Sequence, residues 1–330
     1  MSLTANQTIL LTGAAGFIGS YLLGYLNRKG FRNIIICDQF GEIGQNPNLE
    51  GKSFTSVVER DMLFKWLAEE GRRPDAVFHL GARTDTTEFD YEVHRQLNLE
   101  YSKRIWEYCT HASIPLVYAS SAATYGAGER GYHDDPDRLD ALRPLNPYGR
   151  SKHEFDLWVT ERPERERPPF WAGLKFFNVY GPNEYHKGRM ASVIFHAFGQ
   201  IQKEGKVRLF RSHRPNYKDG QQQRDFIYVA DVARVCLWMM EERPASGIYN
   251  LGTGKARTFE ALARATFAGM DRDPVIEYID MPADLRETYQ YFTEADMGRL
   301  RAAGYAAPFH SLEDGVGDYV RNYLVPGRYY

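Results

Sequence analysis

The sequence contains only three cysteines among its 330 residues, and no two of them form a CxxC pair. Cys37, Cys109 and Cys236 lie in apolar runs, so we expect reduced core residues rather than a disulfide framework. No apolar run reaches the roughly 18 residues of a membrane-spanning helix, and no basic N-terminal segment precedes a long apolar one. These absences predict a cytoplasmic protein that does not enter a membrane.

An excess of positive charge is also missing, since 41 basic and 43 acidic residues leave a formal net charge of −2. This balance gives no electrostatic reason to expect binding to nucleic acid or to an anionic membrane. The histidines and cysteines show no metal-ligand spacing, so no metal site is expected. Hydrophobic residues (43%) and aromatic residues (14%) are abundant, which argues against disorder and provides for a large core.

Apolar runs alternate with amphipathic segments from the start of the chain, a pattern typical of βαβ units. We therefore predict an α/β fold, with a doubly wound parallel sheet and a smaller C-terminal α/β lobe. The first domain is expected to cover residues 1–180, with parts of 225–260 returning to it, and residues 181–330 mainly form the second lobe. Within the first domain, residues 92–113 are predicted to form one long helix.

The segment "TGAAGFIG" places Gly13, Gly16 and Gly19 between an apolar strand and a helix. Glycines at this spacing permit a tight turn and let backbone amides approach a pyrophosphate, while Asp38 at the end of the next strand suits ribose hydroxyls. A Rossmann-type dinucleotide site is therefore predicted, against the alternative of a glycine-rich turn with no ligand. By charge alone, Asp38 favours NAD over NADP, and the nearest cations are Lys52 and Arg60.

The segment "NPYGRSK" places Tyr148 and Lys152 four residues apart, on one face of a predicted helix. A cationic Lys152 near the phenol is expected to lower the pKa of Tyr148 and make it a usable base beside a hydride acceptor. Ser121, at the end of a predicted strand, would hold the reacting oxygen. His79 ends another strand, where a buried structural histidine is a stronger interpretation than a catalytic or metal-bound one.

These motifs, with "HLGA", "FFNVYGP", "RDFIYVADVA" and "NLGTG", resemble the extended short-chain dehydrogenase/reductase superfamily over essentially the whole chain. Members are epimerases, dehydratases and reductases of nucleotide sugars. "SSAATYG", "FFNVYGPNEYHKGRMASVIFH", "YQYFTEADM" and "LRAAGY" look like the ADP-L-glycero-D-manno-heptose 6-epimerase family. That resemblance implies bound NADP, a homo-oligomer and a role in lipopolysaccharide inner-core heptose biosynthesis. Ala122 and Ala123 replace the threonine–acid pair of dehydratases, which disfavours water elimination.

The resemblance also implies roles for individual residues. The implied catalytic residues are Tyr148, Lys187, Lys152 and Ser121. The implied cofactor-binding residues are Gly13, Gly16, Phe17, Ile18, Gly19, Asp38, Gln39, Arg60, Leu80, Gly81, Ala82, Asn98, Tyr148, Lys152 and Val179. The implied substrate-binding residues are Ser121, Asn178, Arg189, His196, Phe210, Arg211, Ser212, His213, Arg224 and Tyr289.

Two of these residues have plausible non-functional interpretations. Lys187 would be the second proton-transfer group that eases hydride return to the opposite face, or else a solvated loop lysine. Arg224 would donate two parallel hydrogen bonds to pyrophosphate oxygens, or else be a surface arginine beside Asp225.

The sequence departs from the family at Gln45, where a lysine usually faces the 2′-phosphate, and at Leu80, Arg83 and Arg189. The resemblance implies NADP as the cofactor, while Gln45 and the loose match of Arg60 to a second family lysine keep NAD as the alternative. The loop at residues 211–223 is also longer than the family pattern. Two rivals therefore stay open: another nucleotide-sugar epimerase, such as a UDP-hexose 4-epimerase, and a dinucleotide-sensing protein without turnover.

Overall fold

The computed structural model describes residues 3–41, 46–69, 71, 73–282, 286 and 289–330. Seven parallel strands form its main sheet, in the order β3-β2-β1-β4-β5-β6-β11. The strands are β1 (Ile9–Thr12), β2 (Ile34–Asp38), β3 (Ser56–Glu59), β4 (Ala76–His79), β5 (Leu116–Ser121), β6 (Trp171–Phe176), β7 (Asn178–Tyr180), β8 (Val207–Phe210), β9 (Gln223–Arg224), β10 (Phe226–Tyr228), β11 (Gly247–Leu251), β12 (Arg257–Thr258) and β13 (Ile276–Ile279).

Helices cover the main sheet and build the second lobe. They are α1 (Phe17–Arg28), α2 (Leu63–Glu69), α3 (Tyr91–His94), α4 (Tyr101–His111), α5 (Pro147–Thr160), α6 (Val193–Glu204), α7 (Val229–Glu242), α8 (Phe259–Gly269), α9 (Gly298–Ala302) and α10 (Leu312–Tyr319). The predicted long helix is interrupted: a π-helical segment at Arg95–Glu100 joins α3 to α4. A π-turn accommodates one additional residue, and the spacing of apolar residues in the sequence does not reveal it.

The central strands are apolar because both faces of the sheet are covered. Every residue of β1 and of β6 is buried, as expected for a parallel sheet between two helical layers. The strand order reverses at β1, which pairs with β2 on one side and β4 on the other. In such sheets ligands bind outside the carboxyl ends of the strands at this switch point. The predicted α/β, doubly wound fold is confirmed.

The second lobe has a small apolar core of its own. β8 and β13 pair in parallel, and α6 and α8 pack beside them. Its buried side chains are Ala197, Ile201, Val207, Leu209, Ala263 and Phe267. No helix in the described part of the chain is both long enough and apolar enough to span a bilayer.

Candidate active site

The glycine-rich turn links β1 to α1 with very little space around its backbone. Gly13 has φ +73°, and a Cβ on it would lie 2.6 Å from the Gly81 nitrogen. A Cβ on Gly19 would collide with the Gly13 carbonyl oxygen, while Gly16 occupies the N-cap position of α1. The turn therefore brings α1 close to the strand and leaves backbone amides at the helix N-terminus available to an anion.

Asp38 closes one end of this site. Its carboxylate accepts hydrogen bonds from the backbone nitrogens of Ala15 and Gln39, each at 2.8 Å. Arg60 donates to the Gln39 side chain at 3.3 Å and to Asp61 at 2.9 Å. Asp38, Gln39 and Arg60 line a cavity of roughly 270 Å³ together with Gly13, Gly81 and Ala82. Gln45, the departure noted above, lies outside the described residues.

Two further cavities continue from this one along the carboxyl edge of the sheet. The first, of roughly 400 Å³, is lined by Gly13, Gly16, Gly19 and Asp38 and reaches Lys187. The second, of roughly 210 Å³, contains Tyr148, Lys152, Ser121 and Lys187. Phe17, Ile18, Leu80 and Ala82 line both, and Val179 lines the second. The predicted cofactor residues thus form one groove that ends at the predicted catalytic residues, and we call the last cavity the catalytic cavity.

Asn98 does not line this groove. Its side chain is buried and accepts from the Arg83 nitrogen at 2.7 Å, and it donates to the Arg83 oxygen and to Ser151 Oγ, each at 3.0 Å. Asn98 therefore fixes the backbone that follows Ala82 at the edge of the groove.

The beginning of α5 places Tyr148 and Lys152. Asn146 caps the helix by accepting from the Gly149 nitrogen at 2.8 Å, and Pro147 occupies its first turn. Lys152 Nζ, buried one helical turn beyond Tyr148, donates to the Ala119 carbonyl oxygen at 2.9 Å. Burial lowers the pKa of Lys152 to about 8, although the nearby Asp156 opposes this shift.

The pKa of Tyr148 departs from the sequence prediction. Burial raises it above the ordinary tyrosine value, and a hydrogen bond with Ser121 offsets only part of this rise. The expectation that Lys152 lowers the pKa of this phenol is wrong for the chain without a dinucleotide, because desolvation dominates. The two side chains nevertheless line the same cavity, as the four-residue spacing predicts.

Ser121 and Lys187 approach the cavity from two different segments. Ser121 ends β5 and caps the following turn by accepting from the Ala123 nitrogen at 3.1 Å. Lys187 lies in the short helical segment Tyr185–Met190, where Gly188 has φ +53°. Its ammonium lies 5.3 Å from the centre of the Phe17 ring, and burial lowers its pKa. Lys187 is therefore half-buried beside Tyr148 rather than a solvated loop lysine.

His79 is a structural histidine, as favoured from the sequence. Its Nδ1 lies 2.6 Å from Thr12 Oγ1 and its Nε2 lies 2.9 Å from Ser102 Oγ. Full burial lowers its pKa to about 3, so the ring stays neutral. The described residues contain no group of three or more His, Cys, Asp or Glu side chains that could hold a metal ion.

Arg224 is buried with only 8% of its surface exposed. Its guanidinium donates to the Gln223 carbonyl oxygen at 2.8 Å and lies over the rings of Tyr289 and Phe259, at 5.4 and 5.6 Å. The Asp225 carboxylate accepts from the backbone nitrogens of Thr253, Gly254 and Ala295 and from the Thr253 hydroxyl. Arg224 is thus neither a surface residue nor bound to that carboxylate. Among the residues described, no acidic side chain pairs with its guanidinium, and an anionic ligand would supply a counter-charge.

Of the other predicted substrate residues, Tyr289 contacts Arg224 and Phe210 packs on Tyr289, whereas residues 211–213 follow Phe210 along the chain. Phe210 and Tyr289 pack edge to face at 6.1 Å. The Ser212 nitrogen donates to Asp219 at 2.8 Å, and the His213 nitrogen donates to the Tyr291 hydroxyl at 2.9 Å. Arg211 is half exposed and pairs with Asp280 at 3.2 Å.

Of the ten predicted substrate residues, all of which lie in the described part of the chain, only Ser121 lines the catalytic cavity. The Asn178 side chain is exposed, while its backbone nitrogen donates to the Asp225 carbonyl at 3.1 Å. Arg189 is exposed in the same segment as Lys187. His196 Nε2 lies 3.3 Å from the Arg189 carbonyl oxygen, and its ring lines a different cavity, between α6 and residues 324–327.

Sequence reasoning missed a buried ion pair behind the catalytic cavity. Asp156, on α5, and Lys175, on β6, are both fully buried and lie 2.7 Å apart. The spacing of Tyr148, Lys152 and Asp156 at successive four-residue steps was a signal that could have identified the acid. Nothing in the local sequence marks Lys175, because its partner comes from another element.

Comparisons with known proteins agree with this arrangement. The model of the NAD dependent epimerase/dehydratase family matches residues 9–252. An ADP-L-glycero-D-manno-heptose-6-epimerase of Fusobacterium nucleatum subsp. nucleatum is 46% identical over 326 residues, covering 96% of this chain and 98% of the relative. One from Nitratidesulfovibrio vulgaris is 49% identical over 318 residues, covering 96% and 97%.

A solved structure gives the same result. The crystal structure of Helicobacter pylori ADP-L-glycero-D-manno-heptose-6-epimerase superposes with a TM-score of 0.79 at 27% identity, covering 96% of each chain. The matched family is NAD dependent, which supports a nicotinamide dinucleotide as the ligand of the groove. The chain belongs to the NAD dependent epimerase/dehydratase family and, within it, to the ADP-L-glycero-D-manno-heptose-6-epimerases.

Proposed function

We propose that this protein converts ADP-D-glycero-D-manno-heptose into ADP-L-glycero-D-manno-heptose by inverting C6, a step of lipopolysaccharide inner-core heptose biosynthesis. The observation that carries the proposal is the catalytic cavity, where Tyr148, Lys187, Lys152 and Ser121 meet at the end of the dinucleotide groove. Relatives that carry this activity in their names align over nearly the whole chain.

The residues divide the chemistry between them. A nicotinamide dinucleotide bound in the groove would supply a hydride acceptor, and then a hydride donor, for C6. Either Tyr148 or Lys187 accepts the C6 hydroxyl proton as the hydride leaves, while Ser121 holds the oxygen. Loss of hydride and proton makes C6, which lies between C5 and C7, a ketone. The ketone would turn about its C5–C6 bond so that its opposite face meets the hydride donor, and Tyr148 or Lys187 would return a proton to the oxygen, so that C6 is inverted. Net oxidation is zero, so the cofactor need not exchange between turnovers.

The lowered pKa of Lys187 supports this division. A lysine with its ordinary pKa would hold its proton too tightly at neutral pH. Burial lowers the pKa of Lys187 towards neutral pH, where a proton-transfer group works best. The raised pKa of Tyr148 makes the phenol a proton donor until a cation reaches it. Lys152 supplies one such charge from the same helix face.

We propose NADP as the cofactor, with NAD as the alternative. The Asp38 carboxylate is occupied by two backbone amides, and the Arg60 guanidinium lines the same cavity, where it could pair with a 2′-phosphate. Replacing Arg60 with alanine should weaken NADP binding about tenfold or more and leave NAD binding within about twofold, since one charge-assisted contact contributes about 1.5–3 kcal/mol. Calorimetric titration of both dinucleotides checks this, and equal losses for both would contradict NADP selection by Arg60.

Tyr148→Phe tests the activity itself. Wild-type protein should epimerise ADP-D-glycero-D-manno-heptose, read by NMR of the product, and should leave UDP-galactose unchanged. The phenylalanine variant should keep its dinucleotide and its unfolding temperature but lose at least about 100-fold in kcat, the usual range for a missing acid–base group. Turnover of UDP-galactose alone would favour a UDP-hexose 4-epimerase, and bound dinucleotide with no turnover of either sugar would favour a sensor.

We also propose that residues 1–180, with parts of 225–260, act as the dinucleotide-binding domain, and that residues 181–330 mainly bind the sugar nucleotide. Strand β11 (Gly247–Leu251) lies in the main sheet, which supports the proposal that parts of 225–260 belong to the first domain. Three buried, unpaired cysteines support a cytoplasmic location. A homo-oligomer is proposed from family membership, and light scattering of the purified protein tests it.

A further inference from the structure

A buried ion pair lies behind the catalytic cavity. The Asp156 carboxylate and the Lys175 ammonium are 2.7 Å apart, and neither side chain has any exposed surface. Taking two charges out of water costs several kcal/mol per ion, and apolar residues of similar volume are often equally or more stabilising. Stability of the sheet is therefore a weak reason for this pair to be present.

The pair connects directly to the strand that carries Ser121. Asp156 accepts from Ser120 Oγ at 2.6 Å and from the Tyr118 hydroxyl at 3.1 Å, both on β5. On the same helix, Lys152 donates to the Ala119 carbonyl between them. Helix α5 is thus fixed to three successive residues of β5, immediately before Ser121.

Lys175 extends the network to the other side of Ser121. Its ammonium donates to Thr124 Oγ1 at 2.7 Å, and Thr124 Oγ1 in turn donates to the Ser121 carbonyl oxygen at 2.9 Å. Lys175 is also the register partner of Ser120 in the sheet, and its neighbour Phe176 lines the catalytic cavity. The turn that presents Ser121 to Tyr148 is therefore held on both sides by one ion pair.

We propose that Asp156 and Lys175 are positioning residues that hold Ser121 and Lys152 in place against Tyr148 for proton transfer. The proposal rests on the proposed function, because that function makes Tyr148 one of the two groups that transfer the C6 hydroxyl proton. Neither residue of the pair lines the catalytic cavity. They act through Ser120, Thr124 and the first turns of α5.

The proposal makes the Tyr148 pKa sensitive to both members of the pair. The groups that face the phenol are Lys152 and Asp156 on its own helix, Ser121 on β5, Lys187 across the cavity, and the His94 ring at 6.2 Å on α3. The Asp156 charge raises the pKa of Tyr148, and the Ser121 hydrogen bond lowers it. Removing the carboxylate removes a charge that raises this pKa, whereas removing the lysine leaves that charge unpaired, so the two single variants should shift the pKa in opposite directions. In the neutral Asp156→Asn/Lys175→Met variant only the Ser121 hydrogen bond is weakened, and the pKa should rise.

NMR of protein labelled with [ζ-13C]tyrosine and carrying its bound dinucleotide tests this prediction. The Tyr148 signal is identified by its loss in Tyr148→Phe. Asp156→Asn should lower the pKa of Tyr148, Lys175→Met should raise it, and Lys175→Arg should keep it near the wild-type value. A shift of about one unit is expected for a charge at this range. Identical titrations in all four proteins would overturn the proposal.

The neutral double variant Asp156→Asn/Lys175→Met guards against unfolding, because it leaves no buried charge unpaired. Its kcat should fall at least tenfold while KM and dinucleotide retention stay within about twofold; a wild-type kcat would overturn the proposal. Asp231→Asn is the matched control, since Asp231 is equally buried but pairs with Arg234 and His310, which do not line the cavity. That control should lose stability without changing the Tyr148 titration. If wild-type protein epimerises no nucleotide sugar, the proposed function fails, whereas the titrations still decide the role of the pair.

Discussion

Replacing Arg224 with methionine should weaken substrate binding and, at the same time, stabilise the empty protein. Arg224 is buried, and within the described part of the chain its guanidinium contacts one carbonyl oxygen and two aromatic rings. Burying a cation beside neutral partners costs several kcal/mol, of which cation–π contacts return only about 0.5–2 kcal/mol. The uncharged methionine removes that cost, so the unfolding free energy of the empty protein should rise by about 1 kcal/mol.

The loss on binding can be worked out from the same geometry. A guanidinium that donates two charge-assisted hydrogen bonds to a diphosphate contributes about 1.5–3 kcal/mol, which is about 10- to 150-fold in Kd. At an ADP concentration about 100 times the wild-type Kd, ligand stabilises wild-type protein by about 2.7 kcal/mol. A variant that binds about 100-fold more weakly gains only about 0.4 kcal/mol under those conditions.

Thermal unfolding with and without ADP measures both effects in one experiment, and calorimetry gives Kd separately. Arg208→Met is the control, because Arg208 is exposed on β8 and pairs with Glu204 and Glu277. The control should change neither the ADP-induced shift nor Kd. If Arg224→Met kept the wild-type ADP shift, or if it lowered the stability of the empty protein by several kcal/mol, Arg224 would be a structural residue rather than the diphosphate contact.

Two further predictions concern the sheet around the groove. Gly19→Ala puts a methyl group against the Gly13 carbonyl, so it should cost about 1–3 kcal/mol of stability and weaken dinucleotide binding. The control Gly199→Ala lies on α6, where a Cβ has open space, and should stabilise the protein by up to about 1 kcal/mol. Equal unfolding temperatures for the two variants would contradict the close approach of α1 to the Gly13 carbonyl. Burial lowers the pKa of His79 from its ordinary 6.5 to about 3, so the folded protein keeps this ring neutral above about pH 3. The unfolded chain therefore binds the proton first as pH falls from about 6.5 to 3, and stability should drop by up to about 1.4 kcal/mol per pH unit. Denaturant titrations should show a shallower acid loss in His79→Gln, and an unchanged slope would show that His79 is protonated in the fold.

The local parts of this site were predictable from sequence because short-range geometry determines them. Gly13 requires a positive φ, and Tyr148 and Lys152 share a helix face because they are four residues apart. The interruption of the helix at Arg95–Glu100 was not predictable, since a π-turn changes the facing of side chains without changing their composition. That segment contains Asn98, which binds the backbone of Arg83 instead of facing the groove.

Long-range features were predictable only through the family resemblance. Periodicity alone gives no reason for Lys187, which follows the sixth strand of the main sheet, to reach the cavity of Tyr148, which lies before that strand. The direction of the Tyr148 pKa was wrong for a related reason. Spacing revealed a neighbouring ammonium, but it could not reveal that partial burial of the phenol would outweigh that charge.

Burial lowers the pKa of three cationic side chains of the site while no ligand is bound. Lys152 donates to a carbonyl oxygen, Lys187 lies over an aromatic ring, and Arg224 donates to a carbonyl oxygen. A dinucleotide and a sugar nucleotide each bring a negatively charged diphosphate, and opposite charge raises the pKa of a nearby ammonium. Ligand binding should therefore raise the pKa of Lys152 further above neutral, so that its positive charge beside Tyr148 is held more firmly in the loaded enzyme. Burial keeps Tyr148 protonated while the cavity is empty, and the binding event that delivers the C6 hydroxyl strengthens the charge that opposes this effect.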